Sequence, residues 1–215
     1  MVLAAASLKG PMTTLAATYE ADHPGTTIRL SFGSSTTLAQ QVAQGADVDL
    51  LATAGATPLE QLGDAVPASV IAVARNTLEI ATPPDDPARV HTLADLARSD
   101  VDVVLCAATA PCGAMADNIL AVAGVSAHVV SRETDVAATL AKVRLGEADA
   151  AIVYHSDVVS AGGAVHGVPI PAAQNITVAY PLARFGEDPE AADFAAYLLG
   201  PDGHKALAAA GFLEP

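Results

Sequence analysis

Residues 27–44 read Thr-Ile-Arg-Leu-Ser-Phe-Gly-Ser-Ser-Thr-Thr-Leu-Ala-Gln-Gln-Val-Ala-Gln, and this stretch indicates the fold class. Thr27–Ser31 is a short run that contains β-branched residues and precedes a glycine, which predicts a strand. Leu38 and Val42 then recur at helical spacing, which predicts a helix over Thr36–Gln44. Between them, Gly33-Ser34-Ser35-Thr36 places hydroxyl side chains where the helix should begin. A strand that leads into a helix is the repeating unit of an α/β fold.

The same alternation recurs along the chain. Strands are predicted at Val2–Ala4, Thr27–Ser31, Val48–Ala52, Val70–Thr82, Val101–Cys106, His128–Ser131, Ala150–Tyr154 and Ile176–Arg184. Helices are predicted at Leu8–Ala21, Thr36–Gln44, Thr57–Leu62, Leu93–Ala97, Gly113–Ala123, Asp135–Leu145, Pro189–Leu199 and Pro201–Ala209. This order predicts an α/β fold with mostly parallel sheets that carry helices on both faces.

Two breaks divide the chain, which at 215 residues is long enough for one large domain or two small lobes. The first is the proline-rich segment at residues 82–87, and the second lies at residues 169–175. A coherent βαβαβ block lies between them. We therefore expect residues 1–80 and 180–215 to form lobe I and residues 81–179 to form lobe II, with two chain crossings.

Five stretches place a small polar or amide-presenting residue where a helix should begin. They are Ala5-Ala6-Ser7-Leu8, Gly33-Ser34-Ser35-Thr36, Ala110-Pro111-Cys112-Gly113, Glu133-Thr134-Asp135-Val136 and, at the end of a strand, Ile152-Val153-Tyr154. A helix start exposes unpaired N–H groups and the positive end of the helix dipole, so several converging starts favour a small anion. Because none of the five contains Lys or Arg, a site built from them would use neutral donors only.

Composition excludes several classes of function. The formal net charge of −14 argues against a nucleic-acid binder, which needs a basic surface. Aromatic residues make up 4% and Trp is absent, which argues against sugar-stacking or base-stacking surfaces. No apolar run approaches the ~20 residues that span a bilayer, and no P-loop or G-x-G-x-x-G motif supports nucleotide binding.

The two cysteines, Cys106 and Cys112, form no C-x-x-C motif and have no histidine cluster near them, so we expect no structural metal site. The loop between them could close as a disulfide in an oxidising compartment. Two buried thiols are the alternative, and the sequence leaves both open.

The motifs, in this order, resemble the periplasmic molybdate-binding proteins of ABC importers, which are type II solute-binding proteins. The matching stretches are Ala4-Ala5-Ala6-Ser7-Leu8, Phe32 to Gln41, Gly45 to Leu50, Pro111-Cys112-Gly113, Ala151 to Asp157, Tyr180-Pro181, Gly200-Pro201 and Gly211-Phe212. They cover nearly the whole chain. One departure is Cys112, since many relatives have Ala there.

The resemblance implies that an oxyanion binds in a cleft between two lobes through hydroxyls and backbone amides. Ser7 and Ser35 would each supply a hydroxyl and an N–H, Cys112 and Val136 would supply backbone N–H groups, and Tyr154 would supply its phenol. The ligand would be molybdate, together with tungstate, and the partner a membrane permease. The resemblance further implies a monomeric, periplasmic or lipid-anchored receptor without a cofactor, and an export signal that this sequence does not contain.

Each of these residues also has a simpler structural interpretation. Ser7 and Ser35 could be helix N-caps, although Ser34-Ser35-Thr36-Thr37 offers more hydroxyls than a cap needs. Val136 and Tyr154 could be core residues. Asp135 would repel an anion unless it caps its own helix, which is the role we expect for it.

Two other classes of function stay open. The same fold could serve as the oxyanion-sensing domain of a regulator, and the ligand could be another tetrahedral oxyanion such as sulfate. An enzyme would need Tyr154, or Cys112 activated by His155 as a base. A hydrolase built from His155-Ser156-Asp157 is not favoured, because triad members come from separate loops and no G-x-S-x-G motif is present.

Overall fold

The computed structural model describes residues 1–67 and 69–215, without the side chain of Asp64, and the chain folds into two compact units. Unit 1 comprises residues 1–75 and 178–215, and unit 2 comprises residues 76–177. At each point where the chain passes from one unit to the other, the predicted lobe boundary lies a few residues later in the chain than the observed unit boundary. The assignment of the two units to functional lobes stays a prediction.

The described chain alternates strands and helices as the sequence predicts. The strands are β1 (Val2–Ala5), β2 (Leu30–Gly33), β3 (Leu50–Ala52), β4 (Val70–Thr82), β5 (Val103–Cys106), β6 (Val129–Glu133), β7 (Ala150–Tyr154), β8 (His166–Pro169) and β9 (Thr177–Arg184). The helices are α1 (Lys9–Asp22), α2 (Ser35–Ala43), α3 (Thr57–Glu60), α4 (Pro111–Ala123), α5 (Val136–Arg144), α6 (His155–Ala161), α7 (Pro189–Leu198) and α8 (Pro201–Ala209). Short 3₁₀ turns form at Ala6–Leu8, Gly63–Ala65, Leu93–Ala97, Gly162–Ala164 and Ala172–Gln174.

Unit 1 is built on the strand order β2-β1-β3-β9. Strand β1 pairs in parallel with both β2 and β3, whereas β9 pairs antiparallel with β3. Helix α1 buries Met12, Leu15, Ala16 and Tyr19, a spacing that forms one face of a helix. The ring of Tyr19 packs edge-on against Phe194 of α7, with ring centroids 5.1 Å apart.

Unit 2 is built on the strand order β4-β7-β5-β6, and β8 pairs with β4. Strand β5 lies between β6 and β7 and is parallel to both, while β4 is antiparallel to β7 and β8. Both β5 and β7 are buried along their whole length. Helix α5 buries Val136, Thr139, Leu140 and Val143 at helical spacing, as the sequence predicts.

The predicted α/β class is confirmed, and several elements differ in detail from the prediction. Strands β4 and β9 pair antiparallel with their neighbours, an arrangement that a mostly parallel sheet allows and that the sequence of one strand does not reveal. Strand β8 was not predicted, and helix α6 was predicted only as a helix start after Tyr154, without a range. Leu93–Ala97 forms a 3₁₀ turn in place of an α-helix, and α3 ends at Glu60, before Leu62. Within the described residues, no helix is both long and apolar enough to cross a membrane.

Candidate functional site

The two predicted serines of unit 1 occupy equivalent positions at the carboxyl edge of its sheet. Ala5, the last residue of β1, pairs with Gly33, the last residue of β2. Ser7 and Ser35 each follow two residues later, so the two side chains emerge from neighbouring parallel strands. Adjacent strands lie about 4.8 Å apart, a spacing that allows both hydroxyls to reach one small ion.

The hydroxyl of Ser7 is held by a buried tyrosine. Ser7 Oγ lies 2.9 Å from Tyr180 Oη, and both residues are buried. The Tyr180 ring packs edge-on against Phe212, with ring centroids 5.1 Å apart, so the phenol is fixed in place. When Tyr180 donates to Ser7 Oγ, the proton of Ser7 is left to donate to a ligand. Tyr180 belongs to one of the matching motifs, but it was not predicted as a site residue.

Ser35 is oriented by a backbone amide. The N–H of Ala54, which follows β3, donates to Ser35 Oγ over 2.9 Å, and Ser35 is 2% exposed. Because Oγ already accepts this bond, its own O–H is available as a donor. Ser35 is the first residue of α2, and the N-cap position is Ser34, which makes no side-chain cap bond. The helix-cap interpretation is therefore wrong for Ser35, and also for Ser7, which lies inside a 3₁₀ turn.

Unit 2 brings its three predicted residues to the carboxyl edge of three parallel strands. Cys106 ends β5 and pairs with Glu133, which ends β6. Cys112 lies in the first turn of the helix that follows β5, and Val136 begins the helix that follows β6. Tyr154 is the last residue of β7 and directly precedes α6. All three predicted residues are buried.

Helix α4 begins with amides that have no intrahelical acceptor. Pro111 occupies its first position, and no side chain caps it. The first backbone bond of the helix runs from the Ala114 N–H to the Ala110 carbonyl, so the N–H groups of Cys112 and Gly113 precede it. Cys112 is joined to Cys106 in a disulfide, with Cα atoms 5.8 Å apart. The open choice between thiols and a disulfide is thus decided in favour of the disulfide.

The side chain of Val136 is buried in the core, and its backbone N–H lies in the first turn of α5. The Asp135 carboxylate accepts from the Ala138 N–H over 2.9 Å, and the Asp135 carbonyl accepts from the Thr139 N–H over 3.1 Å. The predicted cap role of Asp135 is therefore confirmed. The N–H groups of Val136 and Ala137 precede the first intrahelical bond, as the prediction for Val136 requires.

Tyr154 lies directly beside an unusual carboxyl group. Its N–H donates to Asp157 Oδ2 over 3.0 Å. Burial raises the pKa of Asp157 from 3.8 to about 7, the Tyr154 N–H opposes that rise, and the negative charge of Asp135 adds to it. A carboxyl group with this pKa is partly protonated near neutral pH, which reduces the negative charge at this edge of unit 2.

Two of the enzymatic alternatives, the His155-Ser156-Asp157 triad and a Cys112 nucleophile, are not formed in the structure. His155 Nδ1 lies 2.6 Å from Glu79 Oε2, and Ser156 Oγ accepts from Asn76 Nδ2 over 2.8 Å. Asp157 is bonded to backbone, so His155-Ser156-Asp157 forms no catalytic triad. Cys112 is oxidised in the disulfide and is not a thiol nucleophile.

Comparison with known proteins places the chain among solute receptors. Residues 1–213 match the family described as bacterial extracellular solute-binding protein. The molybdate-binding protein ModA of Mycobacterium bovis is 32% identical over 220 residues, which cover all of this chain and 84% of that protein. The predicted resemblance is therefore confirmed.

Solved structures agree with this placement. The substrate-binding domain of a putative molybdenum ABC transporter from Clostridium difficile matches with a TM-score of 0.73 and 26% identity, covering 100% of this chain and 97% of that one. The periplasmic molybdate-binding protein of Azotobacter vinelandii shares the fold with a TM-score of 0.87 at 20% identity, covering 100% and 98%. The chain belongs to the bacterial extracellular solute-binding protein family.

Proposed function

We propose that this protein is an extracytoplasmic receptor that binds molybdate, and also tungstate, and delivers the oxyanion to the membrane permease of an ABC importer. The observation that carries this proposal is the set of neutral hydrogen-bond donors at the carboxyl edges of the two units. Its members are the Ser7 and Ser35 hydroxyls, the amides of Cys112 and Val136, and the phenol of Tyr154. The relatives that are named for molybdate or for a molybdenum transporter support the choice of ligand.

Neutral donors explain how such a site would select its ligand. Each hydrogen bond to a charged oxygen is worth about 1.5–3 kcal/mol, so several of them replace the hydration of a dianion. Hydrogen phosphate must itself donate one bond, and a pocket that contains only donors leaves its proton without an acceptor. Phosphate should therefore be rejected on chemistry, whereas sulfate, which is fully deprotonated, should be rejected by size.

In this role the protein performs no catalysis and needs no cofactor. Molybdate is its cargo, and we expect the receptor to be a monomer. The same donor set suits any fully deprotonated tetrahedral oxyanion, so sulfate is the alternative ligand that the experiment must separate from molybdate.

The first experiment is thermal unfolding with molybdate, tungstate, sulfate or phosphate at matched ionic strength. A ligand present at about a thousand times its dissociation constant should stabilise the protein by about 4 kcal/mol. Stabilisation by molybdate and tungstate alone supports the proposal. Stabilisation by sulfate alone would identify sulfate, and not molybdate, as the ligand. Equal small shifts with all four anions would refute an oxyanion receptor.

Variants then test the residues in each unit. Ser7→Ala should weaken molybdate binding in calorimetry by about ten- to a hundredfold, since 1.4 kcal/mol corresponds to a factor of ten. Tyr154→Phe, which removes only the phenolic oxygen, should weaken it by a similar factor. Ser160→Ala, which truncates an exposed serine of α6, is the matched control and should leave affinity unchanged. Unchanged affinity in both Ser7→Ala and Tyr154→Phe would contradict the assigned site.

A further inference from the structure

We propose that the Cys106–Cys112 disulfide is a positioning element of the oxyanion site. It holds the amides of Cys112 and Gly113 in the orientation that the ligand needs, so reduction of the disulfide weakens binding. This inference rests on the proposed function and extends it. It assigns a binding role to two side chains that do not themselves contact the ligand.

The Cys106 end of the disulfide is firmly anchored. Cys106 is fully buried in β5, the strand that pairs with both β6 and β7. Its sulfur lies 3.4 Å from the Thr139 hydroxyl, which also donates to the Asp135 carbonyl over 2.8 Å. The next residue, Ala107, donates its N–H to the Glu133 carbonyl over 2.7 Å. The disulfide therefore ties the start of α4 to one of the most constrained points of unit 2.

The Cys112 end lies in a turn that also packs directly against the end of β5. A Cβ atom at Gly113 would lie 2.1 Å from the Ala107 carbonyl oxygen and 2.6 Å from the Cys106 carbonyl oxygen, so only glycine fits there. Backbone packing and the disulfide thus constrain the same two amides.

A charged pair completes the support without adding net charge. The Arg132 guanidinium donates to the Cys106 carbonyl over 3.0 Å and forms two bonds to the Asp117 carboxylate of α4, at 2.7 and 3.1 Å. Through these bonds Arg132 fixes α4 against β5. Because the carboxylate of Asp117 balances the charge of Arg132, the pair adds no net charge beside the amide donors.

The disulfide restricts residues 107–110, which connect β5 to α4, together with Pro111, the first residue of α4. With a dithiol such as dithiothreitol, the Sγ–Sγ bond breaks, both cysteines become thiols and the reductant is oxidised to its cyclic disulfide. The connecting residues then regain conformational freedom, and the ligand has to order them again on binding. Ordering one such residue again on binding is enough to weaken affinity about tenfold. We therefore expect about tenfold weaker binding of molybdate after reduction.

The test is isothermal titration of molybdate into wild type and into the Cys106→Ala/Cys112→Ala variant, well below both unfolding temperatures. Both backbone amides remain in this variant. Val168→Ala, which truncates a buried side chain of β8, supplies a control with lowered stability but an intact disulfide. The double variant should bind about tenfold more weakly, whereas Val168→Ala should bind like wild type.

Amide hydrogen exchange, measured in wild type, in the double variant and in Val168→Ala, separates positioning of the amides from a general loss of stability. Molybdate should protect the amides at positions 112 and 113 in wild type and protect them less in the double variant. If the double variant does not fold, wild type reduced with dithiothreitol and titrated before and after reoxidation takes its place, and reoxidation should restore the affinity.

The outcomes separate this inference from the proposed function. Equal affinity and equal protection with and without the disulfide would overturn the positioning role, while the receptor would stand. A wild-type protein that fails to bind molybdate would overturn the receptor itself and, with it, this role for the disulfide.

Discussion

Asp157 should make the protein less stable as the pH rises through the neutral range. Its carboxyl group is buried, and burial raises its pKa from 3.8 to about 7. Between these two values the folded protein keeps a proton that the unfolded chain has released. The stabilisation from that proton is complete below pH 3.8 and is lost as the pH rises to about 7.

The size of the effect follows from the pKa of Asp157, which differs by about three units between the folded and the unfolded protein. At 1.36 kcal/mol per unit, the charged carboxylate costs about 4 kcal/mol above pH 8. Asp157→Asn removes that charge, and its amide oxygen can still accept from the Tyr154 N–H. The variant should therefore gain stability over wild type by about 1.4 kcal/mol per pH unit from pH 4 to 7, and the gain should level off above that range.

The assay is urea unfolding of the ligand-free protein, followed by circular dichroism, in a series from pH 4 to 9. Asp85→Asn, which removes a negative charge from an exposed position, controls for the change in net charge. A difference between Asp157→Asn and wild type that does not vary with pH would refute the argument that burial makes this carboxylate costly.

Three further predictions concern the supports of the site. Ser35→Ala removes the acceptor of the Ala54 N–H and should lower the free energy of unfolding in urea by about 1–3 kcal/mol; no loss would contradict that bond. Loss of the disulfide in Cys106→Ala/Cys112→Ala should cost about 2 kcal/mol in calorimetric unfolding, because the closed loop is short; a cost above 5 kcal/mol would indicate another cause. Gly113→Ala should lower the free energy of unfolding by about 1–3 kcal/mol or more in the same measurement, and an unchanged value would contradict the close approach of the two backbones.

Much of the fold could be predicted from the sequence because its strands are runs rich in β-branched and apolar residues between turn residues. Val70–Thr82 and Ala150–Tyr154 form strands with the predicted bounds, and Pro201–Ala209 forms the predicted helix. Proline at the start of α8 explains the accuracy there, since proline suits the first turn of a helix and is excluded from its interior.

The missed elements depend on tertiary contacts. Strand β8 is His-Gly-Val-Pro, a composition typical of turns, and it becomes a strand because β4 provides an antiparallel partner. Helix α6 has seven residues, too few to form a stable helix alone, and it begins where Asp157 binds the Tyr154 N–H.

The candidate site could be predicted only in part for a similar reason. Ser7 and Ser35 are marked by their position between a strand and a helix, a local pattern. Tyr180 is bonded to Ser7 across 173 positions of sequence, and no local pattern encodes such a contact. The disulfide forms because the Cα atoms of the two cysteines lie 5.8 Å apart in the fold. The spacing of the cysteines in the sequence allows this distance but does not determine it.

The proposed donors carry no positive charge, and this affects how the association rate of the proposed dianion depends on salt. The chain as a whole carries a formal charge of −14, so a dianion approaches against a repulsive long-range field. Added salt screens that field over about 10 Å at 0.1 M, while contacts with buried dipoles are screened much less. The association rate of molybdate should therefore rise with ionic strength, and its dissociation rate should change little. A receptor of this kind captures its cargo faster in saline surroundings, the opposite of a protein that attracts anions with surface lysines.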